Sequence, residues 1–468
     1  MISCADATWN AACEVEGDST SRDRAATPRL EAIVRIIGGL LLVITLVLIA
    51  PAPGHTQAPA SEASNVIVLF RDGVTVAERE RVMRQSGSLT TRHFHNVPAS
   101  AGRADAHARA LLERHPDVLS VVPDREVEAL GKPTGDASVT AAQVVPAGVA
   151  RIGAQPGAVA YTGVGVGVAI VDTGIDFQHA DLAVSATCFT AYAACQDDEG
   201  HGTHVSGIVA AVDNTIDVVG VAPGATLYAV KVLDRRGRGL DSAIMAGLDW
   251  IADNAALVSP AIRVVNMSLG RPGTLNDNPS LRAAVQALTQ AGITVVVAAG
   301  NDSTLEVSQQ VPATYPEVIA VASTTVMAGT SACAGHPSPV IGDTASYFTT
   351  DGAYDSLTGI GVSVSAPGED REDITKGCFL KSVGILSTRL GGGTVRMSGT
   401  SMAAPHVAGV VALMTQQSPA LTPEDARRRL RLGADALDIA PLDSPAAGYS
   451  FDGKREGIVS APGALSAP

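Results

Sequence analysis

From residue 142 onward the chain is punctuated by short apolar runs: Val164–Val171, Ile208–Val212, Leu227–Val232, Ile262–Met267, Ile293–Ala298 and Val318–Val321, with Lys231 and Arg263 their only charges. Runs of this length without polar alternation suit strands covered on both faces. Helical stretches lie between several of them, notably Asp241–Ala252 and Ser280–Gln290. Strands alternating with helices predict an α/β fold, a mostly parallel sheet flanked by helices. Its core has to be aliphatic, because aromatic residues are only 3% of the 468 while hydrophobic residues are 46%. Two late helices are predicted at Ser401–Gln416 and Pro423–Leu437, the second N-capped by Thr422 with Glu424 and Asp425 in its first turn. No internal repeat is present.

Upstream the pattern is different. Val66–Phe70, Leu89–Phe94 and Val118–Val122 read as strands, and Val76–Gln85 and Asp105–Arg114 as helices, which makes a small open α/β unit over residues 65–130. Residues 55–64 read as a linker, and Gly131–Thr140, rich in Gly, Thr and Ser, separates the small unit from the large one. Earlier still, Arg24, Arg29 and Arg35 precede an apolar run of fifteen residues, Ile36–Ala50, followed by small residues and prolines. A membrane span needs about 20 apolar residues, whereas an export signal needs roughly 7–15. Residues 1–54 are therefore expected to be an N-terminal extension and signal peptide. The alternative, an uncleaved anchor at residues 36–50, would tether the same domains outside the membrane.

The formal net charge is −14, which argues against nucleic acid as a partner. Cys4 and Cys13 lie ahead of the export segment. Cys188, Cys195, Cys333 and Cys378 remain, an even number in an exported chain, so two disulfides are expected. Three pairings are possible. Cys188–Cys195 with Cys333–Cys378 is favoured, because the first pair closes a short loop. A zinc site is disfavoured by the absence of C-x-x-C.

Three segments carry chemistry. An apolar strand runs into Asp172-Thr173-Gly174. His201-Gly202-Thr203-His204 lacks the Glu of an H-E-x-x-H zinc motif. Gly399-Thr400-Ser401-Met402-Ala403 is not a G-x-S-x-G elbow, since Ala403 replaces the last Gly. A serine hydroxyl needs an imidazole to take its proton and a carboxylate to hold that imidazole in one tautomer. Asp, His and Ser supply these in that chain order. On these motifs the chain from Ala142 to its end resembles the subtilisin-like serine peptidases (subtilases). The resemblance implies that Asp172 orients, His201 acts as general base and then acid, and Ser401 is the nucleophile. His204 is the second histidine of its motif and not the base. Asn301, closing the run Val295–Gly300, matches the family's oxyanion asparagine, assisted by the backbone N–H of Ser401.

The same resemblance gives further expectations. Asn266-Met267-Ser268-Leu269-Gly270 looks like the strand that pairs with peptide substrate, through Ser268, Leu269 and Gly270, and lines the first specificity pocket. Gly237-Arg238-Gly239 looks like the opposing edge, through Gly237 and Gly239. Asp302 beside the pocket would favour basic side chains, while Gln310 falls where small residues are usual. Gln143, Asp181, Val212, Asn214, Ile216 and Val218 are similar to a structural calcium (Ca2+) site, with side chains from Gln143, Asp181 and Asn214 and carbonyls from the rest. Residues 65–130 resemble an inhibitory propeptide with an antiparallel sheet, cut off between Leu130 and Gln143 by the peptidase itself, residues 142–468. Met402 adjoins the nucleophile, so its oxidation is expected to lower turnover. The expected partners are polypeptide substrates and the chain's own propeptide as intramolecular inhibitor, and a monomer is expected. The interval from Asn301 to Ser401 is long for the secreted members, and the excess falls in Met327–Thr344 and Glu369–Gly393. Each insertion holds one cysteine.

Overall fold

The computed structural model describes residues 62–135, 138, 141–445 and 455–468. The apolar run Ile36–Ala50, Cys4 and Cys13, and residues 55–61 of the linker lie outside the described residues.

The first elements are β1 (Ser64–Phe70), α1 (Val76–Gln85), β2 (Leu89–His93), β3 (Ala99–Ala104), α2 (Ala106–Glu113) and β4 (Val118–Pro123). They form a four-stranded antiparallel sheet of order β2-β3-β1-β4. Thr75 opens α1 with a capping box closed by Glu78, and Asp105 caps α2. β3 was not expected. Its sequence, Ala-Ser-Ala-Gly-Arg-Ala, lacks β-branched residues, and it is a strand because it completes the sheet between β1 and β2. One face of this sheet packs Val66, Val68 and Phe70 against Val82, Met83 and Leu112 of the two helices.

β5 (Glu126–Ala129), β6 (Lys132–Pro133) and α3 (Ala147–Arg151) follow. The segment after Gly131 is thus not a plain spacer, since Lys132 and Pro133 pair with a strand of the large sheet. That sheet takes strands from β7 (Gly167–Asp172), β8 (Phe189–Thr190), β9 (Thr226–Lys231), β11 (Ile262–Met267), β13 (Thr294–Ala298), β15 (Ile319–Thr325), β16 (Val362–Ile374), β17 (Leu380–Thr388) and β18 (Thr394–Ser398). With β6 it has ten strands in the order β6-β18-β17-β16-β15-β13-β11-β7-β9-β8. The run from β16 to β8 is parallel, and β17, β18 and β6 extend it antiparallel. Three short strands, β10 (Arg238–Leu240), β12 (Leu269–Pro272) and β14 (Gln310–Val311), make a second small sheet with β5.

Helices α4 (His201–Ala210) and α7 (Thr400–Gln417) share one core with the sheet, and α5 (Asp241–Asn254) and α6 (Pro279–Gln290) share the other. α8 (Pro423–Leu432) and α9 (Ala461–Ser466) close the chain. Two sequence expectations need correction. Ile208–Val212 is not a strand: Ile208–Ala210 end α4, every residue of which is buried. A short apolar run does not distinguish a fully buried helix from a buried strand. The last predicted helix stops at Leu432, because Gly433 provides its C-cap.

Cys188 is bonded to Cys195 and Cys333 to Cys378. The second bond clips one insertion to the turn between β16 and β17. Cys333, Val340 and Ile374 form a small separate core there. Glu369 and Glu372 lie together on β16, both fully buried, with a register shift between Glu369 and Arg371. Burial, and then the neighbouring Glu372 carboxylate, push Glu369 well above the ordinary carboxylate range.

Candidate active site

Asp172 ends β7, the strand with β9 on one side and β11 on the other, where the winding of the sheet reverses. Such switch points leave a crevice at the carboxyl ends of the strands. His201 is the first residue of α4 and Ser401 the second of α7, so both project from helix N-termini into that crevice. The approach is close: a Cβ on Gly202 would lie 2.1 Å from Gly174 O, so only glycine fits behind the histidine.

His201 Nδ1 is 2.8 Å from Asp172 Oδ1, and Thr173 N donates to the same oxygen at 2.7 Å. Asp172 and His201 are both buried, and His201 Nε2 has no hydrogen-bond partner. Burial drives the imidazole down, but the Asp172 carboxylate, with Glu199 and Asp197 behind it, outweighs this and holds it above its ordinary value. Glu199, which sequence reasoning passed over, accepts from His201 N at 2.7 Å. Ser401 Oγ donates to Ser268 O at 2.9 Å. His204 lies apart, bonded through Nε2 to Ile385 O and Val395 O at 3.1 Å each. Burial pushes it down to about 3, so it is neutral.

Asn301 follows β13. Its side-chain oxygen accepts from Thr400 N at 2.9 Å and Thr400 Oγ1 at 2.8 Å, which leaves the amide nitrogen aimed into the crevice. That nitrogen donates to Leu130 O at 2.6 Å, and Ser401 N donates to the same carbonyl at 3.4 Å. A Cβ on Gly131 would fall 2.7 Å from His201 Nε2 and 3.1 Å from Met402 Cε. The peptide bond between Leu130 and Gly131 therefore lies among Ser401, His201 and Asn301.

The chain reaches this point as an added strand. β5 pairs antiparallel with β10 on one side, Val127 opposite Gly239, and with β12 on the other, Ala129 opposite Leu269 and Glu128 opposite Gly270. Ala129 N donates to Gly237 O at 2.9 Å and Leu130 N to Ser268 O at 3.2 Å. The Leu130 side chain approaches Gly270, beside a 210 Å³ cavity also lined by Arg271, Asn301, Asp302 and Gln310. Gln310 is buried there, while Asp302 is tied into its own turn by Thr304 N at 2.9 Å and Thr304 Oγ1 at 2.6 Å.

The six residues of the expected calcium set also converge. Gln143 Nε2 lies 2.9 Å from Val212 O and 3.3 Å from Val218 O. Asn214 Nδ2 donates to Asp181 Oδ1 at 2.7 Å, Val218 N to Asp181 Oδ2 at 3.1 Å, and Ile216 N to Asn214 Oδ1 at 2.7 Å. Asp181 is fully buried without a basic partner, and burial pushes its carboxyl up to about 6. A desolvated carboxylate among carbonyl and amide oxygens suits a hard cation. Turning over the Gln143 amide, whose O and N are interchangeable in shape, adds another oxygen.

The chain belongs to the subtilase family, whose profile matches residues 163–449. It is accordingly a serine endopeptidase of the subtilisin-like kind. Subtilisin E of Bacillus subtilis is 33% identical over 410 residues, covering 85% of this chain and 93% of that protein. M-protease of Shouchella clausii is 34% identical over 387 residues, covering 82% and 85%. Fervidolysin from Fervidobacterium pennivorans, a keratinolytic enzyme related to subtilisin, shares the fold with a TM-score of 0.64 at 22% identity; the match covers 87% of this chain and 61% of that one. Among the described residues no helix is long and apolar enough to cross a membrane.

Proposed function

We propose that the chain is an exported, calcium-stabilised endopeptidase made as a precursor that cuts itself between Leu130 and Gly131. The observation that carries this reading is the Leu130 carbonyl, held by Asn301 Nδ2 and facing Ser401 N, with Gly131 against His201. Ser401 Oγ adds to the carbonyl carbon while His201 Nε2 takes its proton. Negative charge forms on the carbonyl oxygen, where Asn301 Nδ2 and Ser401 N donate to it. His201 then hands the proton to the amide nitrogen, the C–N bond breaks, and the acyl group stays on Ser401 as an ester. Water, deprotonated by His201, hydrolyses that ester. Asp172 keeps Nδ1 protonated throughout and balances the transient imidazolium.

Other polypeptides enter by replacing β5 between β10 and β12, which reads mainly backbone and tolerates many sequences. Residues 65–130 remain after the cut as a bound product-like inhibitor. Gln143, Asp181 and Asn214 side chains with Val212, Ile216 and Val218 carbonyls would hold calcium, which supplies a fixed positive charge that braces this edge. Export through Ile36–Ala50 fits the paired cysteines. The test is to produce the full chain with and without Ser401→Ala and sequence the N-terminus of the product. Wild type should begin at Gly131 and the variant should stay joined to its N-terminal part. A variant that is still cut at Leu130 in isolation would overturn the reading.

A further inference from the structure

The two insertions build a wall beyond the cut bond. β16 and β17 form a long hairpin, Ile374 opposite Leu380 at its tip, and β18 pairs along β17. Cys333–Cys378 and the small core of Cys333, Val340 and Ile374 hold the tip. Asp373 Oδ1 adds bonds from Thr330 N at 2.7 Å and Thr330 Oγ1 at 2.9 Å. His204 Nε2, reaching Ile385 O and Val395 O, fastens the wall to α4.

This wall is already occupied by the chain's own segment. Lys132 pairs with Ser398 and Pro133 with Met397. The pairing continues outward: Thr134 N donates to Arg396 O at 3.0 Å, and Gly384 N donates to Thr134 Oγ1 at 2.9 Å. Gly384 has no side chain to obstruct this, and a Cβ there would press on Met397 and on Thr134 Oγ1. Ser138 and Thr394 exchange two backbone bonds of 2.8 and 3.2 Å, and their hydroxyls lie 2.7 Å apart. Alongside runs a 420 Å³ cavity lined by Thr134, Asn301, Tyr347, Phe348, Leu380 and Ser382.

We propose that this clipped hairpin is an outer binding site for the leaving side of the substrate, selecting extended polypeptides with at least four residues beyond the cut bond and a Ser or Thr hydroxyl at the fourth. The inference rests on the assignment of Leu130–Gly131 as the cut bond, which puts Thr134 fourth. Its substrates are then long or unfolded chains rather than short peptides. Each backbone bond added by a longer substrate contributes roughly five- to tenfold in binding.

The test uses wild-type processed enzyme, its N-terminus sequenced to show that the chain's own residues up to Ser138 have been trimmed away, and internally quenched peptides that share Val-Glu-Ala-Leu before the cut. One continues as Gly-Lys, a second as Gly-Lys-Pro-Thr-Gly, and a third replaces that Thr by Val. The second should exceed the first in kcat/KM by at least about tenfold, mostly through KM, and the third should lose roughly fivefold. In Gly384→Ala the advantage of the second peptide should collapse, and because this is a ratio on one preparation it is independent of the folded fraction. Should that variant not fold, the three peptides on wild type decide alone. Equal rates for all three peptides would overturn the outer site while leaving the cut bond intact. No cleavage of any of them, with casein still digested, would overturn the cut bond and the inference with it.

Discussion

The N-terminal four-stranded sheet buries one face under two helices with few side chains, Val66, Val68, Phe70, Val82, Met83 and Leu112 prominent among them. The ten-stranded sheet is covered on both faces by continuous aliphatic cores. The other face of the small sheet is completed by its neighbour: Ile67, Phe94, Ala99 and Ala101 join the core that holds Leu281 and Leu288 of α6. Polar contacts finish the junction. Asp124 accepts from Ser242 N at 2.9 Å and Ser242 Oγ at 2.6 Å at the start of α5, and the backbone N–H groups of His95 and Asn96 donate to Asp249 at 2.7–3.0 Å. A unit of this size with one face of its sheet lent to a partner is marginal on its own. The larger region therefore acts as the template and the smaller as the dependent, although the smaller comes first in the chain.

The largest expected effect concerns the bond that joins them. Asn301→Ala should slow both self-cleavage and peptide hydrolysis by about 10²–10³ in kcat, the loss known for the corresponding donor in subtilisin itself. An unchanged kcat would remove Asn301 from the reaction. Next, residues 62–130 produced alone should show no cooperative thermal transition, and should gain one when the mature Ser401→Ala peptidase is added. A sharp transition in the isolated segment would break the contrast between template and dependent. On the large side, excess chelator should lower the Tm of the mature enzyme by about 10 °C, since a tightly held ion stabilises only the folded state. An unmoved Tm would remove calcium from the set around Asp181.

The smallest effect lies on β16, between β15 and β17 of the large sheet. Glu369 is raised above its usual 4.5, so the stability it contributes is full below that value and is lost as pH rises through the folded value. Glu369→Gln removes that loss. The variant and wild type should melt alike near pH 4 and diverge in the variant's favour at alkaline pH. Parallel curves across the range would mean that folding leaves the titration of this carboxyl unchanged.

Much of the site was legible in the sequence because the residues that hold it are short, local and chemically distinctive. Asp172 at a strand end, His201 at a helix start and Ser401 after Gly399 announce themselves through the turns they need. Val212, Asn214, Ile216 and Val218 stand at alternating positions of one loop. The favoured cysteine pairing matches the bonds formed. β3 was not legible, because Ala and Gly gain strand character only from the partners on either side, nearby β2 and more distant β1 in the register Ser64 to Ala104. Nor was the end of α4, where burial on all sides erases the helical period. The wall of β17 and β18 was seen only as surplus length, since a run such as Thr394–Ser398 acquires meaning from the segment that pairs with it.

On the proposal that the chain cuts itself after Leu130, Lys132 and Pro133 would stay covalently tethered through Gln143 after hydrolysis. Once residues 65–130 have left, the acyl half of the crevice is free, but a leash still lies across the amine half, at an effective concentration in the millimolar range. Newly processed molecules would therefore start out partly self-occupied, and full throughput would follow only once that leash is displaced or nibbled away.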